Sequence, residues 1–544
     1  MILRRLYLYA VSIAALAALS FGLSALGWTI LLFVFNSPDA QYSRTSLAGF
    51  TATVVVALPV WAVHQWLAHR FAVRDPAERA SALRRLYLYL ACGGASIGAA
   101  IALAATTASA EQQSLDGISF NQLAFVQPAW VTFVLLAVWA WHFRVATRDR
   151  AAVGEHGASA TLRRWYMYVA LFVGFFMMLA GAQGAIQLSW QKAVQSTTVI
   201  ATPMSVFVGE LVGGAFLWGV HAWIISTRHL LDDRKSTLRA VEGFIAVAIC
   251  IVVALIGASA ILYYAVARAL GVENPGGLGD NILVGLAQPA SNLIVFGVAW
   301  LSLRLRLARD AENGEAHRQA GIRRLYTNLA ALVSMAVLAV GATGLLGTLL
   351  QQIEAQLIGT TASDWKDPVS LWTTLLIVGA VVWLVHWRRV PWLEERHALS
   401  RRLYLWAALL GSVLAVLGGG IAMLYVVFQQ VFSTQPRLSD PANLAFAQGL
   451  AVVLVATAVG MYHWRVLRSD ASTRPVTHAP SEPAAGPAIA AATAPAETGP
   501  AHEVTPGIHY ALSVVGATED DVHQALSNLP PQASYRLTPS DQPT

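Results

Sequence analysis

Apolar stretches long enough to cross a bilayer recur along the chain, among them residues 6–35, 86–108 and 403–432, with short polar segments between them. A hydrocarbon core about 30 Å thick takes roughly 20 helical residues to span, so this pattern predicts transmembrane helices, the longest of them tilted or projecting into the interface. The runs are continuous, without the period-two alternation of a barrel strand, which argues against a transmembrane β-barrel. After Asp470 the pattern stops. Ala, Pro, Thr and Glu dominate as far as Pro506, a composition that cannot bury a core and reads as a flexible linker. Beyond it, residues 509–515 and 535–538 read as strands and 518–529 as a capped helix, a β-α-β unit too small to be stable alone.

The apolar stretches form a repeat. Arg4-Arg5-Leu6-Tyr7 returns as Arg84-Arg85-Leu86-Tyr87, Arg163-Arg164-Trp165-Tyr166, Arg323-Arg324-Leu325-Tyr326 and Arg401-Arg402-Leu403-Tyr404, with a weaker copy at Leu238-Arg239-Ala240-Val241. Each copy opens an outgoing span, and the return spans close on Trp61-Ala62-Val63-His64, Trp139-Ala140-Trp141-His142, Trp218-Gly219-Val220-His221, Trp383-Leu384-Val385-His386 and, more loosely, Met461-Tyr462-His463-Trp464. A period of about 80 residues defines the architecture. It predicts an all-α polytopic bundle of about twelve helices from six tandem parallel hairpins: residues 1–75, 76–150, 151–234, 235–310 (degenerate), 311–397 and 398–470, followed by the linker 471–507 and the tail 508–544. Because the first span recurs internally, it reads as a retained helix and not a cleaved signal sequence. Ser81, Thr161, Thr237 and Ser400 stand where they can cap odd helices.

In this arrangement the basic start of each odd helix and the basic end of each even helix share one side. About 30 of the 36 Lys and Arg fall there, which the positive-inside rule makes the cytoplasm, with both termini on it. Arg4, Arg5, Tyr7, Arg84, Arg85, Tyr87, Arg163, Arg164, Tyr166, Arg323, Arg324, Tyr326, Arg401, Arg402 and Tyr404 read as interface anchors. Arginine at a helix start opposes the helix dipole at a cost of about 0.3–1 kcal/mol, whereas anionic lipid attracts it by about 1 kcal/mol, so the lipid contribution wins. Composition agrees that lipid is the solvent: 56% of the 544 residues are hydrophobic, 12% are charged, and mean hydropathy is +0.55. The net charge of +6 is spread as topology signals, so nucleic acid is not an expected partner. Cys92 and Cys250 lie in apolar spans without CxxC spacing and read as packing residues, not metal ligands.

Candidate chemistry is sparse. His64, His142, His221, His386 and His463 occupy equivalent places, four of them three residues after a Trp, on one helix face at the proposed cytoplasmic boundary. They read as interfacial anchors or, alternatively, as ligands for haem or a transition metal or as a pH-sensing ring. The fourth repeat has Leu301-Ser302-Leu303 instead. Glu210, inside the sixth span, is either a carboxyl on a pathway or a residue of the outer headgroup boundary. Glu242 is expected to pair with Arg239. Gln127-Pro128, Gln288-Pro289 and Gln448-Gly449 mark helix starts or, if those helices begin near Asn121, Asn281 and Asn443, kinks whose freed carbonyls could line a cavity. Small residues such as Gly181, Gly184, Gly341, Gly344 and Gly347 suit close helix packing. There is no P-loop, HExxH, GxSxG or dense acidic cluster, which argues against ATP-driven transport and common membrane hydrolase chemistry. Parallel repeats lower the expectation of a secondary transporter without removing it.

At the Arg-Arg-Leu-Tyr-Leu-Tyr openings the chain resembles a family of bacterial multi-spanning membrane proteins with a domain of unknown function, DUF5671. The resemblance extends over nearly all of residues 1–470 and implies a prokaryotic plasma membrane location, with no catalytic residues to transfer. The leading expectation is a non-enzymatic scaffold or sensor that meets lipid through its bundle and protein partners through its tail, with no predicted cofactor. A transporter or channel, and a haem- or metal-binding redox protein, are the alternatives.

Overall fold

A computed structural model describes residues 2–472 apart from 156, 195–200, 230–232, 234–235, 278–280, 313–316, 360–363, 388–395, 397 and 433–443. The β-α-β tail and nearly all of the linker lie outside the described residues. Within them, twelve helices are long and apolar enough to cross a membrane. They are α1 (Ile2–Val34), α2 (Arg44–Arg74), α3 (Ala82–Asp116), α4 (Gln122–Val153), α5 (Ala158–Ala193), α6 (Met204–Arg228), α7 (Thr237–Ala269), α8 (Ala287–Glu312), α9 (His317–Ile358), α10 (Lys366–His386), α11 (Leu399–Phe432) and α12 (Leu444–Ser472). The described residues are all-α, and the protein is multi-pass.

The start of α4 has a clear local cause: the Asn121 side chain accepts hydrogen bonds from the Leu123 and Ala124 backbone N–H groups. Asn281 likewise accepts one from Leu283, but it caps the four-residue helix Ile282–Gly285 that precedes α8. Pro128 therefore lies inside α4, the second of the two readings of the Gln-Pro pairs, whereas Pro289 stays in the first turn of α8. The serine and threonine caps turn out differently. Ser81 occupies the N-cap of α3 without a side-chain cap bond, and Thr161 sits within α5 with its hydroxyl turned back to the Gly157 carbonyl.

Each odd helix packs against the even helix that follows it, and also against the next odd and the next even helix. Thus α1 meets α2, α3 and α4; α3 meets α4, α5 and α6; and the same rule carries through α5, α7 and α9, until α11 packs on α12. Small residues set the closest approaches. Gly174 of α5 faces Gly214 and Trp218 of α6, and Gly341 of α9 lies against the backbone of Leu375 and Leu376 in α10. The largest cluster of buried apolar side chains runs from Leu8 in α1 through Leu88, Met167 and Leu171 to Leu217 and Ile225 in α6. Cys92 and Cys250 are buried free thiols.

Candidate functional site

The polar side chains of the bundle concentrate at the end where odd helices begin and even helices finish. There the first tyrosine of three of the arginine-tyrosine starts meets the tryptophan-histidine ends of two return helices. Tyr87 accepts a hydrogen bond from the Trp61 indole at 3.3 Å and lies 2.8 Å from His142 Nε2. Tyr166 stands in the same relation to Trp139 (2.9 Å) and His221 (2.8 Å), and Tyr404 to Trp383 (3.1 Å) and His463 (2.8 Å). In each case the tryptophan comes from the preceding return helix and the histidine from the following one.

The partners fix the protons. Nδ1 of His142, His221 and His463 lies 2.7–2.8 Å from a backbone carbonyl four residues earlier. A carbonyl can only accept, so Nδ1 carries the hydrogen and Nε2 receives the tyrosine O–H. The chain of donation is indole N–H to phenol oxygen, phenol O–H to imidazole, imidazole N–H to carbonyl. Both ring nitrogens of these three histidines are committed, and the rings are 0–1% exposed, so none is open to a metal ion. Among the described residues no group of three or more His, Cys, Asp or Glu is placed to hold one.

The starts of α1 and α9 are built differently. Tyr7 is exposed and tilted beside His64, with ring centroids 5.8 Å apart, and Tyr326 meets His386 edge to face at 6.0 Å. His64 and His386 are half-buried, each with Nδ1 on the carbonyl four residues back. Near the start of α7 Val241 stands in place of the tyrosine, and on α8 Leu303 in place of the histidine, so both partners are absent together. We expect Tyr166→Phe, which strands the Trp139 N–H and the His221 Nε2, to cost about 1–2 kcal/mol, and Tyr326→Phe to cost far less. Thermal unfolding of the two variants in detergent checks this.

The arginines form a second layer. Lipid attraction predicts exposed cations, but Arg84, Arg85, Arg163 and Arg401 are buried and turned into the protein. Arg84 pairs with Asp149 at 2.6 Å and Arg401 with Asp470 at 2.7 Å, each aspartate standing seven residues after the clasping histidine. Seven residues are two helical turns, which puts histidine and aspartate on one face. Arg85 donates to the Ala146 carbonyl at 3.0 Å. Arg4 and Arg5 share Glu78; Arg163 bridges Glu155 and Asp233, and Arg164 also reaches Asp233. Burial alone favours the Asp233 acid form, but the bonds and charges of Arg163 and Arg164 prevail and hold its pKa below the usual carboxylate range. Arg323 is exposed, and Arg324 and Arg402 are half-buried. Glu242 takes Arg306 at 2.7 Å as a partner.

Sequence reasoning passed over the second tyrosine of the Tyr-x-Tyr starts. Tyr9, Tyr89 and Tyr168 donate to Glu78, Glu155 and Asp233, the acids of the connectors between α2 and α3, α4 and α5, and α6 and α7. Tyr9 also stacks on Tyr87, and Tyr89 on Tyr166, at centroid distances of 5.9 and 5.8 Å. Two residues apart on a helix point to different sides, so one tyrosine reaches the histidine and the other the connector.

At the opposite end the glutamines separate. Gln127 is buried and donates to the Trp28 carbonyl of α1 at 3.1 Å, and Gln448 fills the notch at Gly347 of α9. Gln288 is exposed, and its carbonyl accepts from Ser291. Gln183, unmarked in the sequence, joins Gln187 at 2.8 Å and Ser291 at 3.0 Å across α5 and α8. Glu210 is half-buried in the second turn of α6, whose first N–H groups are held by the Asp116 carboxylate. It has no hydrogen-bond partner among the described residues.

Comparison with known proteins gives one family. A domain of unknown function, DUF5671, matches residues 5–129 and again residues 324–458, so each match takes in two arginine-tyrosine starts and three or more of the long helices. No curated protein and no solved structure matches the chain.

Proposed function

From a chain that carries DUF5671 domains, we propose a non-enzymatic membrane scaffold: six hairpins stacked in tandem, both ends cytoplasmic, with residues 473–544 docking protein partners. The observation that carries this reading is the use made of the repeated polar residues. Tyr87, Tyr166 and Tyr404 each join three helices through one hydroxyl, and the connector acids tie each of the first three hairpins to its own exit. Groups satisfied on both sides are suited to hold register and unsuited to bind or release a substrate. In lipid, where apolar surface gives no drive for helix association, such bonds and close glycine contacts are the available adhesives.

Truncation after Ser472 tests the role of the tail. The bundle is expected to keep its thermal midpoint in detergent, while proteins captured with the full chain by crosslinking in native membranes are lost. An unchanged set of crosslinked partners would overturn the docking reading, and collapse of the bundle would show the tail to be part of the fold.

A further inference from the structure

We infer that a basic recess between the second and third hairpins binds a phosphate group, presented by an anionic lipid headgroup or by a soluble phosphate. The recess has a volume of about 630 Å³ and is lined by Arg150 at the end of α4, Glu155 in the connector, Thr161, Arg163 and Arg164 on α5, and His229 just after α6. This is ample for a phosphate and its ester substituent. Arg150 lies nine residues beyond the exposed Trp141, about 13 Å along the helix axis, at or just outside the level where an interfacial tryptophan meets the headgroups.

Among the described residues, the charges around the recess do not balance. The lining carboxylate Glu155 is already engaged by Tyr89 and Arg163, and two of the lining arginines, Arg163 and Arg164, are bonded to Asp233, which also accepts from Tyr168. Arg150 has a different partner, donating to His229 Nε2 at 3.1 Å. That histidine is neutral at pH 7, because burial and the nearby charges of Arg163 and Arg150 lower its pKa to about 4. A neutral imidazole accepts a hydrogen bond without compensating the charge. One turn back, Arg85 is wholly buried, with Nε and Nη2 lacking partners, and its charge, like that of Arg150, reaches the Tyr89 hydroxyl. Among the described residues, the lining Arg150, Arg163 and Arg164 and the buried Arg85 stand against two carboxylates, with a fifth guanidinium, Arg228, acting on His229. An anion entering beside Arg150 would meet planar N–H donors of the geometry that pairs with phosphate oxygens.

Native mass spectrometry of the full chain in mild detergent, with phosphatidylglycerol, phosphatidylcholine or inorganic phosphate added, tests this. We expect phosphatidylglycerol adducts, or stabilisation by inorganic phosphate, in the wild type. Arg150→Gln should weaken either by about tenfold, and Arg150→Lys by less. Thr161→Glu adds a negative charge at an exposed position on the rim and leaves the buried contacts intact, so it should weaken binding even if Arg150→Gln impairs folding. A phosphatidylglycerol response identifies a lipid headgroup, and a phosphate response alone a soluble ligand. Binding unchanged by Thr161→Glu, or phosphatidylcholine bound as well as phosphatidylglycerol with no phosphate response, overturns the assignment.

Discussion

Replacing Asp233 with alanine is expected to destabilise the bundle by about 3–5 kcal/mol, the range for removing one partner of a buried ion pair. The Asp233 side chain is 0% exposed and accepts from Arg163, Arg164 and Tyr168, while Arg163 is itself 3% exposed. Alanine would leave Arg163 with Glu155 alone and the Tyr168 hydroxyl without its acceptor. Asp233→Asn should recover part of the loss, since an amide oxygen can accept but does not neutralise charge. The pH dependence has a definite sign. Because the folded pKa is depressed, the contribution of the carboxylate is complete above its unfolded pKa of about 3.9 and is lost as pH falls through the folded value. The gap between wild type and Asp233→Asn should therefore be constant from neutral pH down to about pH 5 and close only in stronger acid. Thermal unfolding in detergent across this range measures both. A cost for Asp233→Ala below about 1 kcal/mol would mean that solvent reaches the site and screens it.

The twelve helices were legible because their signal is local: an apolar run of sufficient length needs no knowledge of its neighbours. The direction in which each arginine faces was not local. Arg84 and Arg323 open the same motif, yet Arg84 is buried against Asp149 and Arg323 is exposed. Part of this was written in the sequence, since Asp149 and Asp470 each follow a histidine by seven residues, a spacing visible once histidine is taken as a fixed point. The joint loss of tyrosine and histidine on α7 and α8, at Val241 and Leu303, likewise marks the two as partners. Glu78, Glu155 and Asp233 keep no common spacing from the motifs. Their role follows from where the connectors fold back over the helix starts, which periodicity does not encode. Gln183 and Ser291 are 108 residues apart, and nothing along the chain relates them.

Gly214→Leu is expected to separate α5 from α6 and cost about 3 kcal/mol or more, because its obstacle is backbone and not a side chain that can rotate away. A Cβ at Gly214 would lie 2.8 Å from the Gly174 carbonyl oxygen and closer still to the Met178 backbone nitrogen; a Cβ at Gly174 would lie 2.5 Å from the Trp218 backbone nitrogen. The two glycines thus face each other, and relief requires the helices to move apart. That motion would pull on His221, two turns further along α6, which must stay 2.8 Å from Tyr166 on α5. Gly214→Ala should show a smaller loss of the same kind, about 1–3 kcal/mol. Gly219, five residues along α6, supplies the control. An added Cβ there meets nothing within 4 Å, so Gly219→Ala should be neutral or stabilising by up to about 1 kcal/mol through helix propensity alone. Thermal unfolding of the three variants separates crowding from propensity: if Gly214→Ala and Gly219→Ala shift the midpoint equally, backbone contact between α5 and α6 does not govern the stability of this pair.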